Sequence, residues 1–220
     1  MTTTPEPRER LSRARVIRAA MDIADRGGIE ALTIRALANE LGAKPMSLYH
    51  HVDGKDAVLA AMVEDVFGQI ALPDEGTDWK QAMRERCVSA REVLNRHPWA
   101  VPLLESGTTP GPNSLGHHEA VLAALARGGL PLPLMAHAYA ILDAFIYGYV
   151  VQEASLPVQG GEGTAELAAE ISQAFDPGQY PHLVRLTVEH VMKPGYSFGD
   201  SFEYGLDLLL DGIEAAIPQE

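Results

Sequence analysis

Residues 32–55 read LTIRALANELGAKPMSLYHHVDGK, and this stretch predicts two short helices joined by a tight turn. Thr33 can cap the first helix, because its hydroxyl can accept hydrogen bonds from the free N–H groups of the first turn. Gly42 follows the last apolar position, where a left-handed residue commonly ends a helix. Pro45 suits the first position of the second helix, where a missing N–H costs no hydrogen bond. This is the helix-turn-helix pattern, whose second helix lies in the DNA major groove.

Helices are also expected on both sides of this motif. An apolar stripe with helical spacing predicts a helix from Arg8 to about Arg26, ended by Gly27-Gly28, and residues 1–7 ahead of it are expected to be disordered. Asp53 is expected to cap a further helix from Gly54 to about Ile70. The inner face of that helix would carry Val58, Leu59, Met62, Val63 and Val66.

Charge is divided unevenly along the chain. Residues 1–55 hold nine Lys/Arg and seven Asp/Glu, a net charge of +2 within a total of −13, so residues 56–220 carry −15. An acidic body would repel DNA and leave binding to the weakly basic head. Each arginine off the first apolar stripe can lie on an ordinary solvated face, but together they are expected to touch phosphates: Arg10, Arg13, Arg15 and Arg18.

Length and composition narrow the class of protein. With 220 residues, 46% of them apolar, the chain is expected to fold as one or two domains. No run of 18 uncharged apolar residues and no apolar segment near Met1 are present, so neither a membrane span nor a signal peptide is expected. Cys87 is the single cysteine, which fits a reducing cytoplasm and indicates a small buried residue rather than a redox sensor.

Residues 56–220 are predicted to form a second, helical domain, with the boundary near residue 55 and the head over residues 8–55. Thr77 or Asp78 would cap the first helix after the LPDEGTD linker. The segment 132–155 is apolar on nearly every side, which predicts a central, buried helix. Without a convincing strand, the expected fold class is all-α. The expected helices are 78–96, a short helix ending at Gly107, 114–127, 132–155, 164–175, 182–192 and 201–217.

The last segment, SFEYGLDLLLDGIEAAI, carries two glycines seven residues apart on one helical face. Each costs about 1 kcal/mol against alanine inside a helix, which indicates either a close helix–helix approach or glycines tolerated in an ordinary core helix. Together with residues 132–155, this helix predicts an interface with a second copy, so that two recognition helices lie about 34–36 Å apart. The expected dimer residues are Phe202, Gly205, Leu206, Leu209, Gly212 and Ile213.

The chain resembles the tetracycline-repressor (TetR) family of transcriptional regulators. The resemblance rests on LTIRALANELGAKPMSLYHHVDGKDAVLAAM, with SLYHHVDGKDAVL as its most specific run, and on the ending FEYGLDLLLDGIEA. It implies a cytoplasmic homodimer that binds a palindromic operator and is released by a small-molecule effector held in the C-terminal domain. It also implies phosphate contacts for Thr33, Tyr49 and Lys55. Residues at or beside base edges would be Arg35, Lys44, Pro45, Met46, Ser47 and His51, with His50 as a surface or phosphate contact.

The effector pocket is expected to combine apolar and aromatic walls with a few polar groups. Each candidate can equally be plain core packing: Trp99, Leu103, Leu104, His118, Met135, Phe145, Tyr149 and Gln152. The family's drug-binding branch uses a histidine near the segment that here reads LLESGTTP, with Glu105 and no histidine, so tetracycline is not expected as the ligand. Adjacent His117 and His118 point about 100° apart on a helix, so they cannot easily chelate one metal together. No metal and no cofactor are expected.

Two other classes of function stay open on the sequence. A regulator controlled by a partner protein would have a solid C-terminal core in place of a cavity. An enzyme or carrier with a vestigial head is disfavoured, because no nucleophile–base pair, phosphate-binding glycine loop or metal clamp is visible.

Overall fold

Helices form most of the chain in this computed structural model, which describes residues 10–104, 110–156, 169 and 178–218. No β-strand occurs among the described residues, so the predicted all-α class is confirmed. The helices are α1 Arg13–Gly27, α2 Ile34–Glu40, α3 Pro45–Leu48, α4 Lys55–Gln69, α5 Trp79–Arg96, α6 Val101–Leu104, α7 Pro112–Arg127, α8 Leu132–Ser155, α9 Pro181–Leu186 and α10 Asp200–Ala215. Single helical turns cover Ile29–Ala31 and Pro98–Ala100, and a π-helical turn, Thr187–Val191, continues α9.

The chain divides into two compact units. The first contains residues 1–70 and 96–118, and the second contains residues 71–95 and 119–220. In the first unit, α1 packs against α2 and α4, and α4 packs against α6. The predicted boundary near residue 55 falls at the first residue of α4, and it stays a prediction about where the head ends.

Helix α1 begins later than the sequence predicted. Arg10, Leu11 and Ser12 are not helical, and the hydroxyl of Ser12 accepts a hydrogen bond from the backbone N–H of Arg15 at 3.3 Å. The hydroxyl of Ser12 thus satisfies one of the free N–H groups of the first turn, and the helix starts directly after it. The helix ends as expected, at glycines, with Gly28 at φ 74°.

The second unit has a core formed by the inner faces of α5, α8 and α10 and the C-terminal half of α7, with α8 packed against α10. Asp78 caps α5, since its carboxylate accepts from the N–H of Lys80 at 3.0 Å, as predicted. The largest fully buried side chains of this unit are Met83, Leu94, Leu125, Leu142, Ile146, Phe202, Leu206 and Leu210.

Helix α8 is not buried on all sides, which corrects the expectation. Leu142, Ile146 and Val150 are fully buried, whereas Ile141 and Val151 are 44% and 55% exposed. An apolar composition around the whole helix therefore does not mean that its own chain buries every side of it.

By length and composition alone, α8 is also the one helix in the described part of the chain that could cross a membrane. Two of its buried residues are acidic, Asp143 and Glu153, and each carboxylate faces an arginine of α5. Such ion pairs stabilise charges inside a protein. The inner side of this helix therefore packs against α5 through paired charges as well as through apolar side chains.

Several other boundaries differ slightly from the predictions. Helix α7 begins at Pro112 rather than Ser114, because Pro fits the first turn of a helix, and α10 covers 200–215 rather than 201–217. The predicted helix 182–192 is α9 followed by the π-helical turn. The predicted disorder of residues 1–7, the predicted helix 164–175 apart from residue 169, and Glu105 lie outside the described residues.

Candidate DNA-binding face and effector domain

The turn between α2 and α3 has the geometry that its sequence predicts. The Thr33 hydroxyl accepts from the N–H of Ala36 at 3.0 Å, and Gly42 has φ 60°. The N–H of Ala43 donates to the carbonyl of Ala38 at 2.9 Å, which closes α2 with the hydrogen bond of a Schellman motif. Pro45 then opens α3. Short side-chain and backbone caps thus fix the angle at which α3 leaves α2.

The start of α4 corrects one prediction. Gly54, with φ 98°, occupies the N-cap position, and no side chain caps the helix there. Asp53 is therefore not the cap. A left-handed residue is needed at this position, and glycine adopts that conformation without a steric penalty. Lys55 is the first helical residue, so its exposed ammonium group lies beside the helix-turn-helix motif.

Around α3, the side chains predicted to meet DNA lie on the outside. Leu48 and Val52 are buried and anchor the segment, while Met46 is 72% exposed. Ser47 and His51 are half-buried. The remaining predicted contact residues are exposed: Thr33, Arg35, Lys44, Pro45, Tyr49, His50 and Lys55. One short segment therefore presents cations, hydroxyl groups and an apolar tip together, which is what phosphate and base-edge contacts require.

Asp25 of α1 is hydrogen-bonded to the turn that precedes α6. Its Oδ1 accepts from the indole Nε1 of Trp99 at 2.6 Å and lies 2.8 Å from Nδ1 of His97. Nε2 of His97 lies 3.3 Å from the side-chain oxygen of Gln69 on α4. Trp99, expected to line the effector pocket, is thus buried with its N–H group already hydrogen-bonded.

A second carboxylate of the first unit caps α7. Oε1 of Glu64 on α4 accepts from the N–H groups of Gly111 at 3.1 Å and Ser114 at 3.2 Å, and Oε2 accepts from Asn113 at 2.8 Å. The side-chain amide of Asn113 donates in return to the carbonyl of Glu64 at 2.9 Å. Burial raises the pKa of Glu64, but hydrogen bonds from Ser114, Asn113 and Gly111 outweigh this effect and lower it.

Two other predicted pocket residues meet near this cap. Leu104 and His118 line a small cavity of about 50 Å³, together with Glu64, Phe67 and Ser114. The rings of His117 and His118 each lie 5.4 Å from that of Phe67. Leu103 is half-buried. A volume near 50 Å³ is far below the few hundred Å³ of a typical ligand pocket.

In the second unit, the predicted pocket residues of α8 differ in exposure. Tyr149 is buried, Phe145 and Met135 are half-buried, and Gln152 is exposed. The rings of Phe145 and Phe202 stack at 5.1 Å, and the hydroxyl of Tyr149 donates to the carbonyl of Phe198. Burial, followed by the neighbouring Glu153 carboxylate, raises the pKa of Tyr149.

The polar partners of this aromatic cluster were not predicted. The guanidinium carbon of Arg91 lies 4.7 Å from the Phe202 ring centroid, and its Nε donates to Glu153 at 2.8 Å. Asn95 donates to the same carboxylate at 2.9 Å. Burial raises the pKa of Glu153, but the bonds from Arg91 and Asn95 lower it by more. Asn95 and Arg91 lie 58 and 62 positions from Glu153 in sequence, so the network that they form with it is visible only in the folded structure.

A buried ion pair crosses the same unit. Nη1 of Arg86 lies 2.8 Å from Oδ1 of Asp143, and the Arg86 side chain is 2% exposed. Cys87, beside it, is fully buried, and that burial raises the pKa of its thiol to about 11. A thiol in this environment is an inert small core residue, as expected from the sequence.

Burial corrects part of the predicted dimer interface. Phe202, Leu206 and Ile213 face the core of their own chain and are therefore covered before any second copy binds. The close approach predicted at Gly205 is also internal, because a Cβ built there would lie 2.9 Å from Cζ of Phe145. Leu209 is half-buried and Gly212 is exposed. The large apolar side chains that α10 turns outward are Tyr204 and Leu208.

No cluster of three or more potential metal ligands occurs among the residues that the structure describes.

Two models of known protein families match this chain, one over its N-terminal helices and one over its C-terminal part. The family model described as "Bacterial regulatory proteins, tetR family" matches residues 16–62, which contain most of α1, all of α2 and α3, and the first half of α4. The model described as "Tetracyclin repressor-like, C-terminal domain" matches residues 72–217. The second match covers more than half of the chain.

The chain belongs to the TetR family of transcriptional regulators.

Relatives agree with this assignment over nearly the whole length. An HTH-type transcriptional regulator of Saccharopolyspora erythraea is 33% identical over 206 residues, covering 93% of this chain and 85% of the relative. The HTH-type transcriptional repressor DrrR1 of Streptomyces coeruleorubidus is 31% identical over 224 residues, covering 97% and 81%. ActR from Streptomyces coelicolor, in a crystal structure with actinorhodin, has a TM-score of 0.76 at 25% identity, covering 96% and 100%.

Membership of the TetR family gives the exposed α2–α3 segment its role. The helix-turn-helix motif is the DNA-binding part of the protein, and the protein regulates transcription. The family model of the C-terminal domain begins at residue 72, yet residues 96–118 belong to the same compact unit as the head. Sequence-based and structure-based divisions of this TetR protein therefore differ over one segment, the segment held by Asp25 and Glu64.

Proposed function

We propose that this protein is a repressor that binds a palindromic operator as a homodimer and leaves it when a small-molecule effector binds the C-terminal domain. The observation that carries the proposal is the exposed row of cations, hydroxyl groups and one apolar tip around α3, next to the buried anchor Leu48. The relative DrrR1 is named a repressor, and ActR was solved with a bound small molecule. Both names support repression relieved by a ligand.

Contacts with DNA divide by chemistry. Thr33, Tyr49 and Lys55 would hold phosphates, with His50 beside them, since a hydroxyl group or a cation suits a phosphate oxygen. Arg35 and Lys44 can pair with guanine, and Met46 and Pro45 can touch a thymine methyl group. Ser47 and His51 complete the set near base edges. With few polar groups on so short a helix, part of the specificity would come from DNA shape.

The homodimer would form through apolar surface that one chain leaves uncovered. On α8, a stripe of exposed residues recurs at spacings of three and four, and it reads Ile141, Ala144, Gly148 and Val151. On α10, Tyr204, Leu208 and Gly212 recur every four residues and are likewise exposed. Small residues between large apolar ones allow helices of two copies to approach closely. A two-fold dimer would also place two α3 segments to read two half-sites.

The effector would bind in the C-terminal domain, where the candidates named from the sequence are Met135, Phe145, Tyr149 and Gln152. The other four candidates belong to the same compact unit as the head: Trp99, Leu103, Leu104 and His118. Aromatic rings at Phe145 and Tyr149, with the guanidinium group of Arg91 over a neighbouring ring, favour a planar aromatic molecule that carries polar substituents. The cytoplasm is the expected compartment, since the operator lies there in a bacterial cell.

The test is selection of genomic DNA fragments by the purified full-length protein, followed by sequencing of the bound fraction. We expect an inverted repeat with half-sites about one helical turn apart. Small molecules handled by the products of neighbouring genes are then added to the complex in a gel-shift assay. Absence of any enriched fragment would refute the DNA-binding proposal. Release by a protein from the same locus, and by none of the molecules, would instead favour control by a protein partner.

A further inference from the structure

The first turn of α7 takes its cap from another helix. The first N–H groups of any helix have no partner inside the helix, and a side chain directly before the helix usually supplies one. Here the carboxylate of Glu64, 47 residues earlier in sequence, accepts from Gly111, Asn113 and Ser114. Pro112, between them, has no N–H group. One carboxylate thus serves every backbone donor from residue 111 to residue 114.

The position of this carboxylate along α4 gives the cap a second consequence. Helix α4 begins at Lys55, directly after the helix-turn-helix motif, and Glu64 lies nine residues further along the same helix. Helix α7 begins in the unit that contains the head and continues to Arg127, within the second unit. A helix is stiff over such lengths, so a shift of α4 relative to α7 must either carry α7 along or break the cap.

We propose that Glu64 is a positioning residue for the DNA-binding head, and that its cap on α7 changes strength when the head passes from the free to the operator-bound state. This inference rests on the proposed function. Because coupling between two sites is reciprocal, operator DNA must then alter the first turn of α7 just as α7 alters the head. The effect can therefore be measured without knowing the effector.

Two glycines near the cap provide variants in which Glu64 itself is not substituted. A Cβ built on Gly111 would lie 2.5 Å from both Cδ and Oε2 of Glu64, so Gly111→Ala would displace the carboxylate. A Cβ on Gly116, on α7 itself, would meet nothing within 4 Å. Gly116→Ala is therefore the matched control. For Glu64→Ala and Glu64→Gln the control is Asp65→Asn, because Asp65 is the exposed neighbour that accepts from Gln69 on its own helix at 3.0 Å.

The experiment measures hydrogen exchange of the full-length protein by mass spectrometry, with and without the genomic DNA fragment that it selects. The reporter is the peptide covering residues 110–115. Its exchanging amides are those of residues 111, 113, 114 and 115, since 110 and 112 are prolines. In the wild type we expect the DNA to change their exchange rate by about fivefold or more, the lower end of typical coupling. Asp65→Asn and Gly116→Ala should show the same change.

In Glu64→Ala and Gly111→Ala, the same amides should exchange fast whether or not DNA is bound, and the operator Kd should shift by about fivefold or more. Glu64→Gln, which keeps one acceptor oxygen, should lie between them and the wild type. A wild-type protein that binds the fragment while these amides do not respond would overturn this inference and leave the proposed function intact. Failure to select any DNA would overturn both.

Discussion

The indole nitrogen of Trp99 donates to the carboxylate of Asp25 at 2.6 Å, joining two residues that are 74 positions apart in sequence. The same oxygen lies 2.8 Å from Nδ1 of His97. Asp25 thus holds the turn before α6 on α1, as Glu64 holds the start of α7 on α4. Two acidic residues thus anchor the segment 96–118 to α1 and α4 of the first unit, although the family model counts it with the C-terminal domain.

Removing the hydrogen bond of Trp99 should destabilise the first unit. Trp99→Phe keeps most of the buried ring but loses the donor, and we expect a loss of about 1.5–3 kcal/mol in the free energy of unfolding, as for hydrogen bonds to charged groups. Urea denaturation of Trp99→Phe, Asp25→Asn and the double variant measures the coupling between them. Additive losses from the two single substitutions would contradict a direct bond.

The sequence predicted the helix-turn-helix motif well because its determinants are local. Thr33, Gly42 and Pro45 each act within four residues of their own position, through a cap, a left-handed turn and a fixed φ angle. Asp25, Glu64 and Arg91 could not be found in this way, since their partners lie 47 to 74 residues away. The apolar sequence of α8 predicted a buried helix. It does not distinguish burial by the helix's own chain from burial by a second copy.

Lys55 should contribute to operator binding through charge alone. With Lys55→Ala we expect weaker binding to specific and non-specific DNA alike, and a plot of log Kd against log salt whose slope falls by about one ion. Fluorescence anisotropy at several salt concentrations gives both quantities. Lys193→Ala is the control, because Lys193 is an exposed lysine of the second unit and its loss should leave the slope unchanged.

Removing one member of the buried pair Arg86–Asp143 should lower the free energy of unfolding strongly, whereas replacing both members with apolar residues should lower it much less. Asp143→Ala removes the carboxylate that faces the buried Arg86 guanidinium group, and we expect a loss of about 3–5 kcal/mol in unfolding free energy. The double variant Arg86→Met with Asp143→Leu should recover most of it, since well-packed apolar residues often substitute for such pairs. Urea denaturation compares the three proteins. A double variant no more stable than Asp143→Ala would contradict this account.

The cap on α7 should depend on pH in a predictable direction. The hydrogen bonds hold the pKa of Glu64 below its ordinary value of 4.5, so the folded state binds the proton less readily than the unfolded chain. Its stabilising contribution is therefore complete above about pH 4.5 and is lost as the pH falls through the lower, folded-state pKa. The difference in unfolding free energy between wild type and Glu64→Gln should shrink over that acidic range. A constant difference down to pH 3 would show that ionisation of Glu64 plays no part.

Dimer formation should depend on the outward face of α10. Leu208→Glu places a charge within the proposed interface, where its desolvation is unfavourable, and we expect a shift from dimer to monomer at micromolar concentration. Leu72→Glu is a matched control, because Leu72 and Leu208 are both 56% exposed in the single chain but Leu72 lies in the linker before α5. Sedimentation velocity distinguishes the two species. Because two half-sites require two linked heads, Leu208→Glu should also weaken binding to the full inverted repeat while leaving binding to a single half-site unchanged. A Leu208→Glu protein that sediments as a dimer would rule out this face of α10 as the interface.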